Sequence, residues 1–250
     1  VTPIIETRDL TRAFGGILAL DGVSLRFEPG PLYAVIGPNG AGKSTFFNVI
    51  SGVMAPTRGE VFFRGERVTG LPAHRIARLG MARTLQVKSV FATLTVEQNL
   101  WVAAQAREPW ARRWGRATAS HAIAARVEDL LDRLALRRLA FETAGNLAYG
   151  DLCLVEVAMA LATEPRLLLL DEPTAGMSPE ETRRTARMIR ELAGQLAVVL
   201  VEHDMEMVLD IADRVCVFHQ GRLLAEGTPA EITRNPAVQD AYLGVEHAAG

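Results

Sequence analysis

Cysteine is scarce. Only Cys153 and Cys216 occur in 250 residues, and both sit in apolar stretches. No disulfide framework follows, and a reducing, cytoplasmic compartment is the simpler setting. Long apolar runs are missing as well. The densest, Leu167 to Leu170 and Ala197 to Val201, are strand-sized and far short of the about 18 residues that a membrane-spanning helix needs. The opening residues Val1, Thr2 and Pro3 show no basic stretch followed by an apolar one, so no secretory leader is expected. Nor does one charge dominate: 27 Lys+Arg against 29 Asp+Glu leave a formal charge of −2, which argues against a chain whose main business is wrapping nucleic acid. Lysine itself occurs only at positions 43 and 88, with arginine elsewhere; no function follows from that skew.

What is present is a chain that folds. Hydrophobic residues make up 49%, which excludes disorder, and a chain this long buries roughly 70–75% of its unfolded surface without staples. No internal repeat of 20 to 50 residues and no low-complexity segment is found. Ile4 to Leu10 and Val23 to Glu28 read as paired strands around a glycine-rich turn. Leu32 to Ile36 reads as a buried strand, ending in Gly37-Pro38-Asn39-Gly40, with a helix from Gly42 to Ile50. From about Thr95 to Ala140 the apolar residues recur at helical spacing, as at Val127, Leu130, Leu131 and Leu134. After Gly150, helices (Leu152 to Ala162, Pro179 to Leu192, Met205 to Ile211) alternate with apolar strands (Leu167 to Leu170, Ala197 to Val201, Arg214 to Phe218). Such alternation indicates a mainly parallel sheet covered on both faces. The tail from Gly227 to Gly244 reads as short helices around Pro229 and Pro236.

Two motifs carry chemistry. Gly37-Pro38-Asn39-Gly40-Ala41-Gly42-Lys43-Ser44-Thr45 fits G-x-x-x-x-G-K-[ST]. Its glycines let backbone N–H groups turn inward around a polyphosphate, and the following helix presents its positive N-terminal end. Lys43 adds a compact charge for the β- and γ-phosphates, and the Ser44 hydroxyl can ligate Mg²⁺. A chance glycine turn before a lysine is the bland alternative, and the flanking strand and helix disfavour it. The second motif is Asp171-Glu172-Pro173 at the carboxyl end of the Leu167 to Leu170 strand, where ligands bind in open α/β sheets. Asp171 suits Mg²⁺, which takes few protein carboxylates. Glu172 is placed to orient or deprotonate a water for attack on a γ-phosphate. Taken alone the pair could be an acidic turn; coupled to a phosphate loop it points to nucleotide hydrolysis.

With these residues the chain resembles the ATP-binding subunits of ABC transporters. Leu147-Ala148-Tyr149-Gly150-Asp151 resembles the family's signature loop, which meets the nucleotide of a partner subunit. Gln86, in Arg83-Thr84-Leu85-Gln86, matches its glutamine loop, and His203, in Val201-Glu202-His203-Asp204, its switch histidine. Ala175-Gly176-Met177-Ser178 matches the loop after the catalytic glutamate. Phe14 sits where the family stacks an aromatic ring on adenine. There are departures: Ala148 stands where serine is usual, Asp151 where glutamine is commoner, and Leu152 and Cys153 where polar or basic residues are frequent. They bear on how strongly nucleotide is clamped.

The fold that the resemblance implies is α/β: a P-loop NTPase core with a mainly parallel sheet, an N-terminal antiparallel β part and an inserted helical subdomain. Residues 1–94 and 151–250 would form the ATP-binding core, and 95–150 the helical subdomain. The implied cofactors are ATP and Mg²⁺, the ion held by Ser44, Gln86 and Asp171. Glu172, His203 and Gln86 are the implied catalytic residues. The implied partners are a second ATP-binding subunit, identical or related, transmembrane permease subunits and, indirectly, a substrate-binding protein, with no nucleic acid. The place is the cytoplasmic face of the inner membrane, peripherally. Asp171-Glu172-Pro173-Thr174-Ala175-Gly176-Met177, Val201-Glu202-His203-Asp204-Met205 and the tail from Ala225 to Gly244 look most like subunits of branched-chain amino-acid importers. Urea and short-amide importer subunits are similar, and His219-Gln220-Gly221 suits them too. A soluble ATPase of the same superfamily acting on DNA or ribosomes lacks its expected coiled-coil insertion or second cassette here. A small-molecule kinase would not need the 147–151 loop. The permease is expected to dock near Gln86 and Val87 to Leu94. Trp101, Trp110 and Trp114, interleaved with Arg107, Arg112, Arg113 and Arg116, read as a solvated face, a membrane-headgroup face or an RNA patch. The chain's lack of net positive charge favours membrane over RNA.

Overall fold

A computed structural model describes residues 1–84, 90–106 and 117–246, with the backbone alone at 117–120 and 243–246. Gln86, Val87, Lys88, Trp110, Trp114 and the arginines 107, 112, 113 and 116 therefore lie outside the described residues.

Two sheets organise the chain. The smaller is antiparallel, in the order β2-β1-β4-β5, from β1 (Ile5–Phe14), β2 (Ile17–Phe27), β4 (Arg58–Phe63) and β5 (Glu66–Arg67). The larger has the order β10-β9-β3-β8-β7-β6. It is built from β3 (Tyr33–Ile36), β6 (Met81–Arg83), β7 (Leu167–Asp171), β8 (Ala197–Val201), β9 (Arg214–His219) and β10 (Arg222–Gly227). β6, β7, β8, β3 and β9 pair in parallel, and β10 closes the edge antiparallel to β9.

The apolar strands divide by the two-residue period of a β-strand. Ala34, Leu168, Leu170, Val198, Leu200, Val215 and Val217 face one core. Tyr33, Val35, Leu167, Leu169, Val199, Val201, Cys216 and Phe218 face the other. The first core is closed by α3 (Val96–Ala106), α4 (Ala117–Arg133), α5 (Tyr149–Ala162), α6 (Pro179–Ala193) and α7 (Met205–Ile211), with α8 (Pro229–Thr233) and α9 (Pro236–Glu246). The second is closed by the small sheet, α1 (Lys43–Ile50) and α2 (Ala73–Leu79), where the Phe46 ring meets Phe27 edge to face and Phe218 at a tilt. Burial on both faces explains why these strands read as unbroken apolar runs. No described helix is long and apolar enough to cross a membrane.

Three differences from the sequence reading have local causes. The N-terminal hairpin is longer than expected: its turn is confined to Gly15-Gly16, and residues between the two expected strands pair across it through shifts of register, Arg12 with Leu20 and Ala13 with Leu18. β4, β5 and β6 lie where no strand was expected, because they are short or begin with polar residues; β6 is a strand only through its pairing with Leu167 to Leu169. β10 is half-buried and polar at its start, so its pairing with β9 decides it.

The start of β3 is tied by a side chain 181 residues away: Asp213 Oδ2 accepts the Leu32 N–H at 2.7 Å and the Arg190 guanidinium at 2.7 Å. The Arg190 hydrogen bond holds the Asp213 carboxyl below the usual carboxylate range. A depressed folded-state pKa gives stability that is present above about pH 4 and lost as the pH falls through the folded value. Asp213→Asn should thus lower stability at pH 7 by up to about 1 kcal/mol, the scale of a half-exposed pair, and the difference from the parent should vanish towards pH 2. Urea unfolding at several pH values measures it.

Candidate active site

The phosphate loop joins β3 to α1 and is shaped by two glycines. Gly37 has φ 148° and a Cβ there would lie 2.1 Å from the Phe218 carbonyl oxygen; Gly42 has φ 104° and its Cβ would lie 2.5 Å from that of Ala19. Side chains are excluded on conformation and on space. The turn between β9 and β10 buttresses the loop, as Gly221 N–H donates to the Ala41 carbonyl at 3.0 Å. Lys43 is buried, and its Nζ donates to the carbonyls of Gly37 at 2.6 Å and Pro38 at 3.0 Å. Burial holds its ammonium below the ordinary lysine range, partly countered by Glu172 and Asp171, so the structure places both acids within electrostatic reach of Lys43. Ser44, Asn39 and Gly40 are exposed.

Asp171 ends β7 with its side chain almost fully buried. Oδ2 accepts from Arg83 at 2.8 Å, while Oδ1 accepts no hydrogen bond among the described residues. Arg83 was missed by the sequence reading. It also donates to Asn48 Oδ1 at 2.8 Å and Ser51 Oγ at 3.0 Å, and lies over the Phe47 ring. Its only sequence signal is a basic residue ending a short apolar stretch. A buried carboxylate oxygen that accepts no hydrogen bond among the described residues suits a hard cation with few protein ligands.

Glu172 follows in the left-handed region, φ 49°, which non-glycine residues rarely adopt, and its N–H donates to the Val201 carbonyl at 2.9 Å. The turn brings its carboxylate to His203, whose Nε2 lies 2.7 Å from Glu172 Oε1. These two residues, 31 apart in sequence, meet because β7 and β8 are parallel neighbours, with Asp171 opposite Val201.

The remaining expected residues fall into two groups. Phe14 ends β1 and is 43% exposed, and the Arg12 guanidinium sits 4.7 Å from its ring centroid. Residues Leu147 to Asp151 lead into α5, with Ala148 its N-cap and Tyr149 to Asp151 its first turn. Gly150 abuts Glu181, the Tyr149 ring abuts Gly176, and Asp151 pairs with Arg138 at 3.0 Å. An acid in a first helical turn also meets the positive end of the helix. Ala148 is the N-cap and offers no side-chain hydrogen bond, the direct result of having no serine hydroxyl. Ser178 does cap its helix, α6, in a reciprocal bond with Glu181. Gln86 lies outside the described residues.

Residues 20–175 match the family described as ABC transporter. The chain belongs to the ABC transporter family. Within it, residues 222–248 match a second family, described as branched-chain amino acid ATP-binding cassette transporter. The chain is 41% identical to the high-affinity branched-chain amino acid transport ATP-binding protein BraF of Pseudomonas aeruginosa, over 97% of this chain and 98% of that one. It is 40% identical to LivG of Escherichia coli, of the same description, with the same coverage. It is 32% identical to the lipopolysaccharide export system ATP-binding protein LptB of Acidithiobacillus ferridurans, over 98% of each. A solved ATP-binding cassette of an ABC transporter superposes with TM-score 0.86 at 29% identity, covering 97% of this chain and 99% of that one. The family carries the expected α/β cassette.

Two outcomes test this geometry. Arg83→Met leaves a buried carboxylate without its cation, so unfolding free energy should fall by about 3–5 kcal/mol, read by urea denaturation. Ala148→Ser supplies the missing cap and should stabilise by about 1 kcal/mol, read as a higher melting temperature.

Proposed function

We propose that this chain is the ATP-hydrolysing subunit of an importer of branched-chain or other hydrophobic amino acids. The observation that carries the hydrolytic part is the 2.7 Å approach of His203 Nε2 to Glu172 Oε1, at the strand ends beside the phosphate loop. The amino-acid part rests on the similarity to BraF and LivG and on the match of the C-terminal residues 222–248.

In this reading the N–H groups of 37–45 and the amino end of α1 hold the polyphosphate, Lys43 turns from the Gly37 and Pro38 carbonyls to the β- and γ-phosphates, and Phe14 stacks on the adenine. Ser44, Asp171 and Gln86 would hold Mg²⁺, which would neutralise phosphate charge. Glu172 takes a proton from the attacking water, and His203 holds that carboxylate in place and faces the γ-phosphate. The Leu147 to Asp151 loop completes the site of a second ATP-binding subunit, with the Gly150 N–H and the uncapped start of α5 as donors. The helical segment 95–150 receives the permease subunits at the cytoplasmic face of the membrane, and a substrate-binding protein acts through them.

Glu172→Gln should cut hydrolysis by about 10²–10⁴-fold, the worth of a general base, while ATP stays bound. Hydrolysis at the parent rate would remove Glu172 from this role. The same variant should dimerise on adding Mg-ATP in size-exclusion chromatography with light scattering; a strict monomer with ATP bound would mean that the chain closes only against a different cassette or on its membrane partners. In vesicles holding the chain with its permease and binding protein, leucine, isoleucine and valine should compete for ATP-driven uptake and urea and acetamide should not; the reverse pattern would favour the short-amide alternative.

A further inference from the structure

One buried acid has no part in the chemistry described above. Glu202, between the last residue of β8 and His203, is only 3% exposed. Its Oε1 accepts the Thr174 N–H at 2.9 Å and the Thr174 Oγ–H at 2.5 Å. Its Oε2 accepts the His203 N–H at 2.9 Å and the Asp204 N–H at 3.5 Å. The carboxylate is thus a clamp with one oxygen on each of two segments. Thr174, itself buried, is two residues after Glu172, and His203 is the next residue after Glu202. The Glu172 to His203 contact closes the ring.

We infer that Glu202 is a positioning residue for hydrolysis: it sets the distance between Glu172 and His203 by holding the backbone of both segments. The inference rests on the catalytic roles proposed for that pair. The physical requirement is specific. Four donors converge on one group, and only a carboxylate offers acceptors on both arms. A glutamine of the same size keeps one accepting arm and turns the other into a donor facing donors, so it frees one segment without opening a cavity. Glu172 sits in a sparsely populated backbone region that the surroundings must over-determine. With the Thr174 side loosened, the turn relaxes and the carboxylate moves away from His203. The phosphate loop, which follows β3, keeps its own support in the Gly221 N–H bond to the Ala41 carbonyl. Turnover should therefore suffer and nucleotide binding should not.

The experiment compares Glu202→Gln, Thr174→Val, their double variant and Glu172→Gln in steady-state ATP hydrolysis by the purified full chain, with binding of a fluorescent ATP analogue in parallel. Glu202→Gln and Thr174→Val should each lower kcat by about tenfold, with KM and analogue affinity within about twofold of the parent. The double variant should be no slower than the slower single one, because both remove the same tie. A readout without turnover is the imidazole ¹⁵N spectrum: the His203 Nε2 signal, assigned by its loss in His203→Ala, should move in Glu202→Gln in the same direction as in Glu172→Gln. Parent kcat and an unmoved His203 signal in Glu202→Gln, with Glu172→Gln inactive, would overturn the inference and leave the catalytic pair standing. Equal losses in kcat and analogue affinity, or full additivity in the double variant, would also overturn it, because the role would then be one of general folding. Parent hydrolysis in Glu172→Gln would overturn both the pair and the inference.

Discussion

Burial of the parallel sheet on both faces is the constraint on which the rest of this structure depends. With Leu168 and Leu170 turned to one core and Leu167 and Leu169 to the other, β7 has no side left for a polar group. The same holds for β3 and β8. Polar chemistry is confined to the strand ends, where backbone N–H groups run out of partners and side chains regain water. The phosphate loop, Asp171, Glu172 and His203 all follow directly from the carboxyl ends of these three adjacent strands. Their convergence is a consequence of parallel pairing: three loops, distant in sequence, emerge side by side.

Polar side chains beneath these loops hold them in register. Arg83 ties the end of β6 to Asp171 and to α1, and Glu202 ties the turn after Glu172 to the segment bearing His203. Each is a charged group in a nearly dry place, and such groups cost stability unless every donor and acceptor is answered. Most are answered here. Among the described residues Arg83 Nε and Asp171 Oδ1 are buried without a hydrogen bond, and for Asp171 Oδ1 the proposed function supplies a partner from outside the chain. Asp213 does a related job at the opposite end of the sheet, fastening the start of β3 to α6.

The parts of the fold that were legible in the sequence were those in which one residue pattern has one physical solution. Four leucines in a row followed by Asp171 and Glu172 leave little choice but a buried strand with acids at its end. Gly37 to Gly42 is a loop that few other backbones could trace, as the close approach of Gly37 to the Phe218 carbonyl shows. Legibility failed where an element is made by its neighbour. Met81 to Arg83 is a strand because β7 lies beside it, and Arg222 to Gly227 because β9 does. Thr11 to Phe14 and Ile17 to Gly22 fall outside the strands expected from the sequence because bulges, which relax strict alternation, let them continue the hairpin.

The sequence by itself determined the chemistry available: a phosphate loop, two acids after an apolar strand, a histidine after the next one, and a helix start at Ala148 without a hydroxyl to cap it. Tertiary structure alone decided which groups act together. The meeting of Glu172 with His203, the pairing of Arg83 with Asp171 and the four-donor clamp at Glu202 join residues that lie 31, 88 and 28 positions apart at their widest. Such contacts depend on strand order and register, which arise from how apolar faces pack, and no local pattern in the chain encodes them.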